Sequence, residues 1–515
     1  MEILQLLLGG FSVAFEPMNL FLVIVGCAVG LFIGAMPGLG SVNGVAILLP
    51  VTFIVPPTSA IIFLAAIYYG AMYGGAVSSI MLGIPGASTA VATTFDGRPM
   101  AVQGNADKAL VAAAVASFAG GTISIVLFTL FAPPLAKVAL AFGSPEEFAL
   151  MMLAFGTFIG LGGDDIPKTF FSIFIGLVLS AVGLDVMSGE PRLIFGDISG
   201  FFHGINFLVL AIGIYGIGEI LWTIETSKGT VAVASATVNV QRIIATLGEL
   251  KKSIKTMFMG SFIGYFVGLL PAAGATPGSI MAYGMAKTLS KNPGSYGKGN
   301  IDGVAAPEAA NNAASTGSML PMLTLGIPGS PTTAILLGGM VIWGLEPGPR
   351  LFVEQSDFVW GLIASLYVAN LFAVILNVAF LPLFIWVLKL RFTVLAPVIF
   401  VLCVVGGYAP TQDMHDVWLM LLFGVVGYLM RKLDYPMAPM VLAIVLGPLA
   451  ESSLRQSLMI SHGSPMVFFE RPIAGVTMLI AALLFLLPVF QAIKARIKGV
   501  NQGNAGKLGD NSAGS

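Results

Sequence analysis

Apolar stretches of about 17–25 residues, long enough to cross a bilayer as a helix, recur along the chain. They lack the strict alternation of barrel strands, so the pattern predicts an all-α polytopic membrane protein. Spans are expected near 107–135, 146–162, 168–184 and 204–223, then 358–388, 393–409, 413–430, 437–450 and 473–493. Residues 1–15 read as a retained short helix. Their start, "MEILQLLLGG", carries an acid where a secretory leader has bases and shows no clear cleavage site. The tail, 498–515, is polar and Gly-rich and is expected to be disordered.

Lys and Arg favour cytoplasmic loops. Four basic clusters stand out: Arg242–Lys255, Lys287–Lys298, Arg431 with Lys432, and Lys494–Lys498. Placing all four inside lets the spans alternate. Lys168 and the Arg98–Lys108 loop then also fall inside, and the loops of His203, His415 and His462 fall outside. Both termini are expected in the cytoplasm.

Other apolar stretches are interrupted by Gly and Pro. "GCAVGLFIGAMPGLGSVNG" (Gly26–Gly44) aligns with "GSFIGYFVGLLPAAGATPG" (Gly260–Gly278). Gly26, Gly30, Phe32, Gly34, Pro37, Gly40 and Gly44 match Gly260, Gly264, Phe266, Gly268, Pro271, Gly274 and Gly278. Farther on, "LGIPGAST" (Leu82–Thr89) aligns with "LGIPGSPT" (Leu325–Thr332), the second copy being longer around its basic loop. The motif reads as a re-entrant hairpin, because a single crossing would strand Lys287–Lys298 on the wrong side. Copy 2 enters from inside, turns at Pro271–Ala275 and returns. It then crosses through a helix (304–344) broken at Gly326–Pro331. Copy 1 enters from outside, turns at Pro37–Ser41, and crosses inward through a break at Gly83–Ser88. The repeats are therefore expected to be inverted. The resulting division is an N-terminal helix (1–16), repeat 1 (17–140), connecting spans (141–227) and a cytoplasmic linker (228–254). Repeat 2 (255–390), C-terminal spans (391–497) and the tail (498–515) follow.

Composition narrows the class. The chain is 57% hydrophobic and only 10% charged, against about 25% charged in soluble proteins. The 63 glycines and 30 prolines then read as close helix packing and deliberate interruption rather than disorder. A net charge of −1 gives nucleic acid nothing to bind. Cys27 and Cys403 sit singly in apolar runs and read as packed core thiols. No transition-metal spacing and no nucleotide-binding loop occur, which leaves an ion gradient or another subunit as the energy source.

Each break frees N–H groups at one new helix end and C=O groups at the other. The N-terminal end suits anions and the C-terminal end cations. Paired breaks near the midplane describe a secondary-transporter site. Candidate substrate- or ion-binding residues in the first hairpin are Pro37, Gly38, Gly40, Ser41 and Asn43, and at the first break Gly86, Ser88 and Thr89. In the second hairpin they are Gly274, Thr276 and Ser279, and at the second break Gly329, Ser330, Thr332 and Thr333. Any single hydroxyl could equally cap its own helix end. In "APEAANNAASTGSMLP", Asn311 and Asn312 join the site. Glu308, read as about one turn from the cytoplasmic end, is either a coupling residue or a snorkelling or structural one. Glu219, beside Trp222, reads as interfacial. Asp164 and Asp165 in "GLGGDDIPK" lack the spacing and partner of an intramembrane aspartyl protease, so no enzyme is expected. With no Lys or Arg in the middle of the repeats, an anion would be held by helix ends, hydroxyls, amides and co-bound cations.

The hairpin "GLFIGAMPGLGSVNGVAILLP", the two GIPG breaks and the block "DGVAAPEAANNAASTGSMLPMLTLGIPGSPTTAILLGG" resemble the large membrane subunit of the tripartite tricarboxylate transporters, over about residues 17–495. The resemblance implies a permease of the bacterial inner membrane that imports a tri- or dicarboxylate such as citrate under a cation gradient. It implies two partners, a small four-helix membrane subunit and a periplasmic solute-binding protein. It also implies elevator-type transport, with the repeats moving against a scaffold that includes 146–223 and 393–493. The coupling ion would be sodium or a proton, and the lack of a clear midplane acid leans to sodium. A gated anion or solute channel and a stand-alone carboxylate carrier are the alternatives.

Overall fold

The computed structural model describes residues 2–36, 38–161, 165–185, 188–194, 199–226, 240–271, 273–387, 392–408 and 411–486. Pro37, Asp164 and the tail 498–515 lie outside them. Apart from a two-residue strand pair, β1 (Gly183–Leu184) with β2 (Pro191–Arg192), the regular structure among the described residues is helical. Among the described residues, seven helices are long and apolar enough to cross a membrane. The protein is an all-α, multi-pass membrane protein.

After α1 (Glu2–Ala14), helices α2 (Pro17–Ala35) and α3 (Gly40–Leu48) form the first hairpin, α4 (Pro57–Met81) and α5 (Val91–Val102) flank the first break, and α6 (Ala106–Ala139) follows. Next come α7 (Ser144–Leu161), α8 (Ile166–Ser180) and α9 (Phe207–Ile212); one π-helical turn, Gly213–Ile217, joins α9 to α10 (Gly218–Thr226). Then α11 (Val240–Leu250) leads into the second hairpin, α12 (Ile254–Leu269) and α13 (Ala275–Leu289). The second break separates α14 (Asp302–Leu325) from α15 (Pro331–Ile342). The short α16 (Leu351–Glu354), α17 (Ser356–Ala379) and α18 (Leu381–Val387) precede α19 (Phe392–Tyr408), α20 (Met414–Lys432) and α21 (Met437–Ile460). Last come α22 (Val467–Glu470) and α23 (Pro472–Leu486). Pro17, Pro57 and Pro331 each open a helix, where the missing N–H costs nothing and φ is already helical.

The aligned glycines act as seams. In copy 1, a Cβ on Gly26, Gly30 or Gly34 of α2 would collide with or crowd the carbonyl oxygen of Phe63, Ile67 or Ala71 on α4. In copy 2, Gly260, Gly264 and Gly268 of α12 meet the carbonyls of Ala306, Ala310 and Ala314 on α14 in the same way. Gly74 against Leu31 and Gly317 against Tyr265 repeat the correspondence. Lipid drives helix association weakly, so backbone-to-backbone approach through small residues supplies the packing.

Basic segments come together. Arg242 pairs with Asp107 at 2.6 Å, Lys108 pairs with Glu249, and Gln103 donates to the Lys298 carbonyl at 2.9 Å. Elsewhere, the His415 ring meets Phe201 edge-on at 4.9 Å, and Arg471 pairs with Glu146 at 2.8 Å.

Three elements differ from expectation. The span expected at 437–450 continues to Ile460. Its charged residues Glu451 and Arg455 pair with each other, Glu451 also pairs with Arg192, and Arg455 with the buried Asp185. Span 358–388 divides into α17 and α18 ahead of Pro382, whose missing N–H favours a helix start. The segment read as a linker, 228–254, contains α11, which the pairs from Asp107 and Lys108 tie to α6.

Candidate functional site

At the second break, Gly326 takes a left-handed conformation (φ 70°), which ends α14 without a Cβ clash. Ser330 caps α15 in a reciprocal box. Its Oγ accepts from Thr333 N at 3.2 Å, and Thr333 Oγ1 accepts from Ser330 N at 2.8 Å. Ser330 and Thr333 therefore satisfy their own helix end. Thr332 does not: its hydroxyl lies 2.9 Å from that of Ser41 in the first hairpin, and both residues are buried.

At the first break, Ser88 accepts from Thr276 Oγ1 of the second hairpin at 3.1 Å. Each hairpin start thus touches the break of the other copy. Each also touches its own. Gly274 N donates to Gly329 O at 2.9 Å, and a Cβ on Gly40 would lie 3.2 Å from that of Ala87. Gly86 abuts the Gly34 carbonyl as Gly329 abuts that of Gly268, so neither has room for a side chain. Gly38 and Gly40 turn the first tip with φ of 86° and 63°. The two breaks differ in access. Ser88 is exposed and Thr276 half-buried, whereas Ser330, Thr332 and Thr333 are buried.

Not every candidate joins these contacts. Asn43 donates to Gly38 O at 3.3 Å within its own hairpin, and Ser279 donates to Thr276 O at 2.9 Å on its own helix. Thr89 faces only the Met72 sulfur, at 3.8 Å. Pro37 lies outside the described residues.

The first half of the second broken helix is buried from Gly303 to Thr324. Glu308 sits nearly two turns from its start and is fully enclosed, so it does not snorkel. Its carboxylate accepts from Thr93 Oγ1 of α5 and, at 3.0 Å, from Ser117 Oγ of α6. Asn312 donates to the Glu308 carbonyl at 3.1 Å, and Thr316 bonds to Tyr69 and Ser124. Tyr68 reaches Ser318 and Ser330, each at 3.3 Å. Glu219 lies inside the fold. It is buried just past the π-helical turn, pairs with Arg431 of α20, and lies against Gly38 of the first hairpin tip. Arg431 stacks over Trp222, 5.1 Å from the ring centre.

Residue-by-residue reading missed Tyr68, Tyr69, Arg98 and Arg431. A signal for the tyrosines existed: extending the GIPG alignment places Tyr68, Tyr69 and Tyr73 over Asn311, Asn312 and Thr316. Arg98 reaches back across the first break, where its Nη1 donates to Met81 O at 2.5 Å and caps α4. Its basic identity alone pointed to a cytoplasmic loop. Among the described residues, no three His, Cys, Asp or Glu converge. A cation here would be held by hydroxyl, amide, carbonyl and carboxylate oxygens, which are hard donors.

Residues 20–442 match the sequence profile of the Tripartite tricarboxylate transporter TctA family. The chain is 36% identical over 499 residues to an uncharacterized 52.8 kDa protein of the TAR-I ttuC' 3' region of Agrobacterium vitis, covering 96% of this chain and 98% of the relative. It is 38% identical over 237 residues to an uncharacterized protein of the TAR-II ttuC' 3' region of the same organism, covering 45% of this chain and 98% of that relative. No solved structure matches it. A profile match over most of the sequence and a relative aligned nearly end to end place the chain in the tripartite tricarboxylate transporter TctA family.

Proposed function

We propose that the chain is the permease subunit of a binding-protein-dependent secondary transporter. It imports an organic tri- or dicarboxylate across the bacterial inner membrane under a cation gradient, carried by sodium or the proton. Its partners are a small four-helix membrane subunit and a periplasmic solute-binding protein. The observation that carries this reading is the crossed pair of hydroxyl contacts, Ser41 with Thr332 and Thr276 with Ser88. They bring two broken helices and two hairpins to one place, and helix ends and hydroxyls there suit a carboxylate. Inverted repeats fit the contacts among basic segments: Arg98–Lys108, Arg242–Lys255 and Lys298 meet at one end, the cytoplasmic one. The repeats move as an elevator against α7–α10 and α19–α23. The exposure of Ser88 against the burial of Thr332 describes a carrier open on one side.

The test is uptake of labelled carboxylate into proteoliposomes that hold this chain, its small subunit and its binding protein. Accumulation is expected only with an imposed cation gradient. Undiminished accumulation without one would overturn the coupling, and single-channel currents would favour a gated channel instead.

A further inference from the structure

We propose that α14 holds a monovalent cation of sodium chemistry between the Glu308 carboxylate and the side-chain oxygens of Asn311 and Asn312, apart from the hydroxyl pairs at the breaks. The inference rests on the cation-coupled reading above and assigns that cation a place.

Unpartnered atoms carry it. Asn311 is fully buried, and neither its Oδ1 nor its Nδ2 has a hydrogen-bond partner among the described residues. Asn312 Oδ1 is also unpartnered, although Asn312 is equally buried. An unmet buried polar group is costly, so such groups are few in native proteins and point to a water or ion. Spacing places these residues on one side of α14. Residues three and four apart lie on one side of a helix, and helical side chains lean toward the N-terminus. The bond from Asn312 Nδ2 to the Glu308 carbonyl fixes that lean and leaves Asn312 Oδ1 over the Glu308 turn.

Charge balance gives the valence. Glu308 has two hydroxyl donors, Thr93 and Ser117, but no Lys, Arg or His within ion-pair distance among the described residues. On the packed helices the nearby ionisable groups are Tyr73, whose hydroxyl donates to Asn370, and Asp96. Asp96 is held by the backbone N–H groups of Gly297, Gly299 and Asn300. Neither supplies a positive charge. A buried carboxylate without a counter-charge is expensive. One positive charge neutralises it, whereas a divalent ion would leave an excess. A proton would also neutralise Glu308, but it would leave the Asn311 side-chain oxygen unmet. Thr93, which holds Glu308, lies on α5 five residues after Ser88, which accepts from the second hairpin.

The test is thermal unfolding of the purified full chain, without carboxylate, in sodium chloride against choline chloride at equal ionic strength. Saturable stabilisation by sodium, absent with choline, is expected. Glu308→Gln and Asn311→Ala are each expected to raise the half-saturating sodium concentration at least tenfold. Asn311→Asp, which adds a charge at the same position, is expected to lower it and serves if the other variants fail to fold. Identical melting of the wild type in sodium and choline overturns the site, as does unchanged sodium affinity in the variants. No transported substrate is present, so sodium binding that persists while uptake proves gradient-independent keeps this site and removes the coupled function.

Discussion

Three neighbouring hydroxyls at the second break have different tasks. Ser330 and Thr333 close a capping box, while Thr332 leaves its helix to meet Ser41, far away in sequence. Sequence spacing suggested all three as ligands and also allowed all three as caps. Only the partner separates them, and a partner on another helix leaves no local mark. Thr332→Val, which keeps shape and removes the hydroxyl, is expected to lower carboxylate uptake about tenfold, on the scale of one lost hydrogen bond. The protein should still reach the membrane, as immunoblotting of membrane fractions would check; wild-type uptake would separate the contact from transport. Ser330→Ala is expected to cost about 1 kcal/mol through the lost cap, read as a lower melting temperature. Glu308 teaches a related point. Its distance from the helix end was misjudged because α14 begins at Asp302, within a polar stretch whose helical state the hydropathy pattern does not announce.

At the scale of elements, the two copies share a seam of glycines between hairpin and broken helix. The glycines were legible as a repeat, and their purpose follows from the carbonyl groups they approach. Gly264→Val is expected to destabilise the protein by about 1–3 kcal/mol, since a side chain there meets the Ala310 backbone. Gly284→Ala is the control. Nothing lies within 4 Å of its added Cβ, and alanine favours a helix, so its melting temperature should hold or rise. Equal melting of the two variants would show that the seam does not bear on stability. The length of α21 escaped hydropathy because Glu451 and Arg455 look like the end of a span. Their pairing with Arg192 and with each other lets the helix continue.

At the scale of the whole molecule, the inverted reading makes a directional prediction. In a chain with Cys27 and Cys403 replaced, Lys298→Cys should react with an impermeant maleimide only from the cytoplasmic side. Glu346→Cys should react only from the other side. Both native side chains are exposed, and both native cysteines are buried. Labelling of both positions from one side would exclude inversion as drawn.

The sequence by itself determined membrane residence, the rough limits of most helices, the two interruptions and the family. These follow from local properties: apolar length, the backbone limits of Pro and Gly, and short ordered motifs. The tertiary structure decided which hairpin meets which break and left Ser330 and Thr333 to capping. It buried Glu219 beside a hairpin tip, and it left the buried Asn311 side chain without a hydrogen-bond partner among the described residues. These outcomes depend on helices packed from distant parts of the chain, where a polar atom's partner is set by approach and burial rather than by its neighbours in sequence.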